Sequence, residues 1–300
     1  AVEFCDNAGN TEDAGFAYTW LGWSYLYTGE FEKVLEVKEG LLRTMHRQFN
    51  LRWYIRGLCA ASRALVCLGK WEEALDTGEK ALKKAEEFSD VSTICFAARD
   101  LSIACTAKGN LSRAIIFGEM SLNRATTPAD KAWAQRVLGW SLCRAGDTDR
   151  GLALLTEALP IFRAGRWMPS IIPVLCTIGE AYWLAEEVDK ARQTLQEVYG
   201  IAERCGAKFY LGWSERILGE VESLKDAEKA VSHLTNSIAV LQEIKAENEL
   251  ALAHVGFARF CQQTGKMEKA QDHMRKALKI FNQLGTSLKG YQIEAEDFAV

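Results

Sequence analysis

The residues that could carry out chemistry in this chain are scattered along the sequence rather than clustered. The four histidines, His46, His233, His254 and His273, have none of the spacings that place zinc ligands together, and we expect them to lie isolated on different structural units. A thiol nucleophile needs a nearby histidine, and the one close pair, His254 and Cys261, lies two turns apart on one predicted helix. No phosphate-binding glycine loop, H-E-x-x-H or G-x-S-x-G occurs. We therefore predict no catalytic residue, no metal site and no cofactor.

Cysteine usage and net charge indicate the cellular compartment and the classes of partner. The nine cysteines are odd in number and never paired as C-x-x-C, which favours free thiols in a reducing compartment over a disulfide framework. No apolar run reaches the ~18 residues that a membrane-spanning helix needs, and no signal-peptide pattern occurs. The formal net charge of -4 gives no global reason to bind nucleic acid or an anionic membrane. We expect a cytoplasmic protein without either of those partners.

Small or compact residues recur along the chain at intervals of 37 to 40 residues, each preceded by a short turn and charged side chains. A second small residue lies about twelve positions earlier, and apolar residues follow both at helical spacing, which predicts two amphipathic helices per unit. In the sixth unit Gly219 is displaced by one place, and Glu222 occupies an otherwise apolar position. Glycines such as Gly29 and Gly146 lie where the first helix must stop. The recurring positions of the second helices are Val34, Ala74, Ala114, Gly151, Ala191, Ala230 and Ala270.

The segments YTWLGWSY, QRVLGWSL and CTIGEAY carry a bulky residue, a glycine and a tyrosine or leucine at positions that resemble the tetratricopeptide repeat. That resemblance implies helix pairs that bury their apolar faces only against neighbouring pairs and therefore stack into a curved ribbon. The interval near 40 residues exceeds the usual ~34 of that repeat, which predicts longer helices or longer connections. We predict an all-α, right-handed α-solenoid of about seven tetratricopeptide-like helix pairs.

The same interval divides the chain into three parts. Residues 1–14 align with the end of a second helix, which predicts a half repeat belonging to a preceding unit. Residues 15–285 hold seven repeats, and residues 286–300 form either a capping helix or a tail. Because the chain begins inside a predicted helix and lacks an initiator methionine, we expect that it was cut from a longer protein with more repeats or another domain upstream.

Longer segments carry a second resemblance. The phrases LRWYIRGLCAASRALVCLGKW, ADKAWAQRVLGWSLCRAG and IKAENELALAHVGFARF are similar to the carboxy-terminal repeat region of bacterial signalling proteins with a class III adenylate or guanylate cyclase domain and an ATPase module upstream. This resemblance spans nearly the whole chain and implies a regulatory or sensory region of a larger protein. The metal-binding aspartates of the cyclase and the phosphate loop of the ATPase have no counterparts here, so it implies no catalytic residue.

The inner face of the predicted solenoid is the candidate binding surface. In the tetratricopeptide pattern this concave face is lined mainly by the first helix of each unit, at five positions per helix. Projected onto this sequence, those positions hold seven arginines and no lysine, along with several aromatic residues. Arginine binds carboxylate or phosphate through a planar fork, and tryptophan offers a rigid face for stacking. The candidate residues are Trp23, Arg56, Arg63, Arg99, Trp133, Arg136, Trp140, Arg144, Trp183, Trp213 and Arg216.

Three interpretations of this basic and aromatic surface remain open from the sequence. The arginines pair within the protein with Glu180, Glu220, Asp100 and Asp130 of adjacent units, while the tryptophans fill gaps between helices. Alternatively, the groove binds a protein or peptide with an acidic segment, or upstream domains of the same polypeptide. In the third interpretation it is a sensor site for a small anionic ligand. A peptide groove should be open and continuous over several units, whereas a small-molecule site should be a closed pocket near one or two tryptophans.

Overall fold

The computed structural model describes residues 11–47, 50–165, 168–291 and 293, and these residues form helices without any strand. The all-α prediction is therefore confirmed. Within the described ranges, no helix combines the length and the apolar character that crossing a bilayer requires. The helices are α1 Thr11–Thr28, α2 Phe31–Arg47, α3 Leu51–Cys67, α4 Trp71–Glu87, α5 Val91–Lys108, α6 Leu111–Asn123, α7 Pro128–Arg144, α8 Thr148–Ala164, α9 Met168–Leu184, α10 Val188–Cys205, α11 Lys208–Glu222, α12 Ala227–Glu243, α13 Glu247–Gln263 and α14 Met267–Leu284, followed by a 3-10 helix over Leu288–Tyr291.

Successive helices form seven pairs, from α1 with α2 in unit 1 to α13 with α14 in unit 7. Each first helix also packs against the first helix of the next unit, so the odd-numbered helices form an inner layer. The even-numbered helices form an outer layer and bury mainly one stripe of residues, whereas α5 and α7 are buried over most of their length. This arrangement confirms the predicted solenoid of seven tetratricopeptide-like pairs.

The first helix pair begins before the boundary that the sequence predicted. Thr11 already belongs to α1, so residues 11–14 are the first turn of unit 1, and the rest of the expected half repeat lies outside the described residues. At the other end α14 finishes at Leu284, next to the expected limit of the repeats at residue 285. The 3-10 helix and Ile293 follow it, and the remaining residues of segment 286–300 lie outside the described ranges.

The recurring small residues allow the two helices of each unit to approach closely. The Ser62 hydroxyl donates a hydrogen bond of 2.8 Å to the carbonyl oxygen of Ala74 on the facing helix. In unit 4 both places are glycine, and a Cβ on Gly139 would lie 2.8 Å from the carbonyl oxygen of Gly151. All seven recurring positions of the outer helices are buried. The repeat in the sequence therefore marks the contact within each pair.

Left-handed backbone geometry ends most of the inner helices, as the glycine positions predicted. Gly29 has φ of 84° and Gly146 has φ of 94°, a region that residues with a Cβ rarely adopt. In unit 5 Glu186 takes this place with φ of 60°. The chain can then reverse direction within two or three residues and begin the outer helix.

The solenoid turns so tightly that its last units contact its first units. Helix α11 packs against α1, and α13 packs against α3. Lys245 pairs with Glu32 at 2.9 Å across this contact, and the indole nitrogen of Trp71 donates to the hydroxyl of Thr286 at 3.1 Å. The inner layer is therefore largely protein core, because helices from opposite sides of the superhelix meet there.

Candidate functional site in the inner layer

The predicted site residues all lie on inner helices, but most of them are buried. Closure of units 6 and 7 against units 1 and 2 turns much of the concave face into core, which differs from the open, continuous groove that the peptide interpretation expected. Trp23, Arg56, Trp133 and Trp183 are half-buried. The other seven, each between 2% and 7% exposed, are Arg63, Arg99, Arg136, Trp140, Arg144, Trp213 and Arg216.

One buried aspartate serves two of these arginines. Asp100 accepts a hydrogen bond from Arg63 Nε at 2.5 Å and lies 3.2 Å from Arg99 Nη2. Arg63 belongs to unit 2, whereas Asp100 and Arg99 are neighbours on α5 of unit 3. The pairing therefore runs along the solenoid from one unit to the next, as the intramolecular interpretation expected.

A second ionic network joins units 4 to 7. The Glu180 carboxylate lies 2.7 Å from Arg144 Nη2 and 3.3 Å from Arg216 Nη2, and Arg216 also lies 3.3 Å from Glu220 and from Glu249. Burial alone would raise the pKa of Glu180, but the charges of Arg144 and Arg216 bring that pKa below its ordinary value. Glu180 is consequently an anion held between two guanidinium groups.

The tryptophans of this layer take two kinds of contact. The indole nitrogen of Trp140 donates to Glu180 at 2.7 Å, and that of Trp183 donates to Glu220 at 3.3 Å. Trp213 instead packs on another ring, with its centroid 5.5 Å from that of Trp140. The rings of Trp140 and Trp213 therefore belong to the core of the inner layer, and Trp213 has an indole nitrogen that is buried without a hydrogen-bond partner among the described residues.

Three of the half-buried residues, Trp23, Arg56 and Trp133, line a pocket of about 230 Å³ on the inner face of units 1 to 5, here called the arginine–aromatic pocket. Trp20 is 38% exposed, which places it at the pocket entrance. The sequence projection missed Trp20, because this residue lies outside the five positions that were counted on each inner helix. Its spacing of one helical turn before Trp23 was the available signal. The main lining residues are Trp20, Trp23, Tyr27, Arg56, Phe96 and Trp133.

Arginine and aromatic groups alternate around this pocket. The guanidinium of Arg99 lies 3.8 Å from the ring centroid of Phe96, and that of Arg56 lies 5.2 Å from the same centroid. Arg56 has no carboxylate within 4.0 Å in the described part of the chain, whereas Asp130, the acid that lines the pocket, accepts a hydrogen bond from Thr127 at 2.7 Å. Burial and the charge of Arg99 lower the pKa of Arg56. The pocket thus presents a cation that no carboxylate of the described residues neutralises directly.

The expectation that the histidines lie apart on different units is wrong for one pair. His254 on α13 and His273 on α14 belong to unit 7, and their Nδ1 atoms are 3.0 Å apart. The pairing of the two helices brings them together, since they lie near the recurring positions Ala258 and Ala270. Burial lowers the pKa of both rings. For His254 the nearby ring of His273 lowers the pKa further, to about 4. Within the described ranges, no group of three or more potential ligands could hold a metal ion.

The eight cysteines in the described part of the chain are free thiols. Only Cys205 among them is exposed, and burial raises the pKa of Cys59 and Cys176 well above the ordinary value. A protonated buried thiol is a poor nucleophile, so these two cysteines act as packing residues.

The comparisons with known proteins agree with this architecture. A family model described as tetratricopeptide repeat matches residues 251–283, which lie in unit 7. No curated protein matches the chain in sequence. A crystal structure of a Rap protein complexed with competence and sporulation factor has a TM-score of 0.68 and 13% sequence identity to this chain. The similar region covers 92% of this chain and 78% of the Rap chain.

Two further solved structures are similar over most of the chain. The Rap conjugation gene regulator of plasmid pLS20, in complex with a Phr peptide, has a TM-score of 0.58 and 13% identity over 92% of this chain and 95% of its own. A signal transduction ATPase with a tetratricopeptide repeat sensor from Pyrococcus horikoshii has a TM-score of 0.58 and 12% identity, covering 89% of this chain and 42% of its own. At these identities the likeness shows a common fold, which is a solenoid of tetratricopeptide-like helix pairs.

Proposed function

We propose that this chain is a non-catalytic binding module whose arginine–aromatic pocket receives an anionic group of a protein or peptide partner. The observation that carries the proposal is Arg56, a half-buried guanidinium that faces a pocket of about 230 Å³ with no carboxylate within 4.0 Å in the described residues. Arg63 and Arg99 line the same pocket and share a single aspartate, Asp100. An incoming carboxylate would meet a site with more positive than negative charge.

The dimensions of the pocket limit what enters it. A cavity of ~150 Å³ in a protein core accommodates a benzene molecule, so a pocket of about 230 Å³ holds one side chain or one chain terminus. A carboxylate makes two parallel hydrogen bonds with a guanidinium, and the rings of Trp23 and Phe96 can stack on an apolar or aromatic neighbour of that carboxylate. The expected partner therefore presents an acidic residue or a terminal carboxylate next to a bulky apolar group.

The fold comparisons support a partner of this kind and a regulatory setting. The Rap structures hold competence and sporulation factor in one case and a peptide in another. In the ATPase from Pyrococcus horikoshii a tetratricopeptide repeat region is a sensor within a longer signalling protein. Together with the resemblance to cyclase-linked repeat regions, these cases support a sensory or regulatory role in a larger bacterial signalling protein in the cytoplasm.

A small anionic effector is the second candidate, and the closure of the superhelix favours it. Contact between α1 and α11 buries much of the inner face, where an extended peptide running along several units would need a continuous groove. A ligand with one carboxylate or phosphate and an aromatic ring fits the same residues. The two candidates share the pocket and differ in whether the bound anion is attached to a polypeptide.

Substitution of Arg56 tests the pocket directly. We expect Arg56→Gln to weaken binding at least ~10-fold, because a charge-assisted hydrogen bond is lost inside a half-buried site. Arg52→Gln is the matched control, since Arg52 is exposed on the same helix, and it should change affinity less than ~2-fold. Binding can be followed through tryptophan fluorescence with acidic and uncharged peptides from an array, and in parallel with nucleotides and small aromatic carboxylates.

The result separates the two candidates from each other and from the intramolecular interpretation. Selective binding of acidic peptides that is lost in Arg56→Gln supports a peptide partner, while binding of small anions alone supports a sensor. If the Arg56→Gln protein binds every such ligand as tightly as the unchanged protein, the pocket is not the binding site.

A further inference from the structure

A second cavity lies where the inner helices of opposite units meet. It measures about 50 Å³ and is here called the central chamber. Arg136 comes from α7 in unit 4, Arg63 from α3 in unit 2, and Tyr210 and Trp213 from α11 in unit 6. The chamber exists because α11 packs against α1, which brings unit 6 over the first units.

Arg136 is a buried cation in this chamber that no carboxylate accompanies. It is 2% exposed, its Nε is buried without a hydrogen-bond partner, and the described residues place no carboxylate within 4.0 Å of it. Burial and the charge of Arg63 lower its pKa to about 10. The ring of Trp133 lies beside it, with its centroid 5.5 Å from the guanidinium carbon. An isolated guanidinium in such surroundings is costly unless something neutralises it.

A second donor in the chamber also lacks an acceptor. The indole nitrogen of Trp213 is buried with no hydrogen-bond partner in the described part of the chain, and Trp213 itself is 4% exposed. The one carboxylate that lines the chamber, Glu249, lies 3.3 Å from Arg216 and is engaged there. Two residues from different units that line this cavity thus each keep a buried donor without a partner among the described residues, and buried donors of this kind normally have partners.

The size and polarity of the chamber identify the missing partner. One water molecule needs ~10–15 Å³ of cavity volume. The chamber of about 50 Å³ therefore holds a group of roughly three or four non-hydrogen atoms. We propose that the central chamber binds a small monovalent anion, no larger than acetate, between Arg136 and Trp213. A halide or a planar anion such as nitrate or formate accepts hydrogen bonds from both donors and neutralises the buried guanidinium. This site is separate from the arginine–aromatic pocket, although Arg63 lines both cavities.

Such an anion would link the units that close the superhelix. It contacts Arg136 of unit 4 and Trp213 of unit 6, next to Arg63 of unit 2. Binding to the closed form alone stabilises that form by mass action, so the melting temperature rises with anion concentration until the site is full. Bulk salt effects on the surface differ in that they show no saturation and no dependence on the shape of the anion.

The test compares anions at constant ionic strength with the full chain. Chloride, nitrate, formate or acetate replaces gluconate, which is too large for the chamber, and melting is followed by circular dichroism. We expect a saturable rise in melting temperature of about 5 °C with the small anions relative to gluconate. Arg136→Met should abolish this rise and should melt no lower than the unchanged protein in gluconate, because an unpaired buried charge has been removed.

Two further variants secure the interpretation. Trp213→Phe removes one donor, keeps an aromatic ring, and should raise the anion concentration at half-effect about 10-fold. Arg113→Met is the matched control, since Arg113 is an exposed arginine paired with Glu79, and it should respond as the unchanged protein does. Equal melting of the unchanged protein in all five salts, or an undiminished response in both Arg136→Met and Trp213→Phe, would overturn the proposal. If Arg136→Met does not fold, the Trp213→Phe titration decides.

Discussion

Glu180 is the residue whose removal should most clearly reveal the closed inner layer. It is 4% exposed and lies within 2.7 Å of both Arg144 Nη2 and the indole nitrogen of Trp140, and within 3.3 Å of Arg216. Glu180→Gln preserves the shape and one carbonyl oxygen for Trp140 but removes the negative charge. Two guanidinium groups then lose the anion that they share.

The size of the effect follows from burial. Removing one partner of a buried ion pair costs about 3–5 kcal/mol, because the remaining charges stay in the core without compensation. The control is Glu157→Gln, which breaks the pair of Glu157 with Lys131 at 2.9 Å between two neighbouring helices. Both of those side chains are more than half exposed, so this change should have little effect on the free energy of unfolding.

Urea titrations followed by helical circular dichroism give the free energies of unfolding of the two variants. We expect Glu180→Gln to lose at least ~2 kcal/mol more than Glu157→Gln. Equal losses in the two variants would refute the reasoning, because they would show that water reaches Glu180 in solution. The inner layer would then be open, and the central chamber and the confined pocket would both lose their basis.

Two other perturbations test the closure and the histidine pair. Gly29→Ala and Gly146→Ala should each lower the free energy of unfolding by about 1–2 kcal/mol, because alanine is strained in left-handed geometry. The loss should be larger for Gly29→Ala, since its Cβ would lie 2.7 Å from Ile244 Cγ2, whereas nothing lies within 4 Å of a Cβ at Gly146. Equal melting temperatures of the two variants would contradict the contact with Ile244. For His254 the folded pKa of about 4 lies below the ordinary 6.5, so the unfolded chain binds the extra proton and stability should fall as pH drops from 6.5 towards 4. Replacing His254 and His273 by Asn should reduce that fall in pH-dependent melting curves, and an unchanged slope would exclude the pair as its source.

The sequence by itself determined the repeating architecture. The spacing of residues such as Ser62 and Ala74 specifies the contact inside a helix pair, and this contact is local because the two positions are twelve residues apart. Likewise, Gly29 and Gly146 marked the ends of inner helices, since left-handed geometry restricts which residues can stand there. Local geometry of this kind repeats in every unit, which made the interval visible in the sequence.

The enrichment of arginine on the inner face was also visible in the sequence, but whether these arginines are paired or free was not. Arg63 and Asp100 are 37 residues apart, and Arg144 and Glu180 are 36 apart, close to the repeat interval. Whether such pairs meet depends on how one unit is rotated on the next, and a single unit does not encode that rotation in its helical pattern. The same spacing was therefore compatible with free arginines in a groove and with arginines paired inside the protein.

Only the tertiary structure decided that the solenoid closes on itself. Each unit is rotated slightly relative to the one before it, and these rotations add up over five units until α11 meets α1. No residue pattern within one repeat indicates the total rotation. Closure buries Arg136 and Trp213 together and leaves Arg56 beside a pocket, although the sequence assigns all three to the inner face. Their different surroundings arise from contacts between units far apart along the chain.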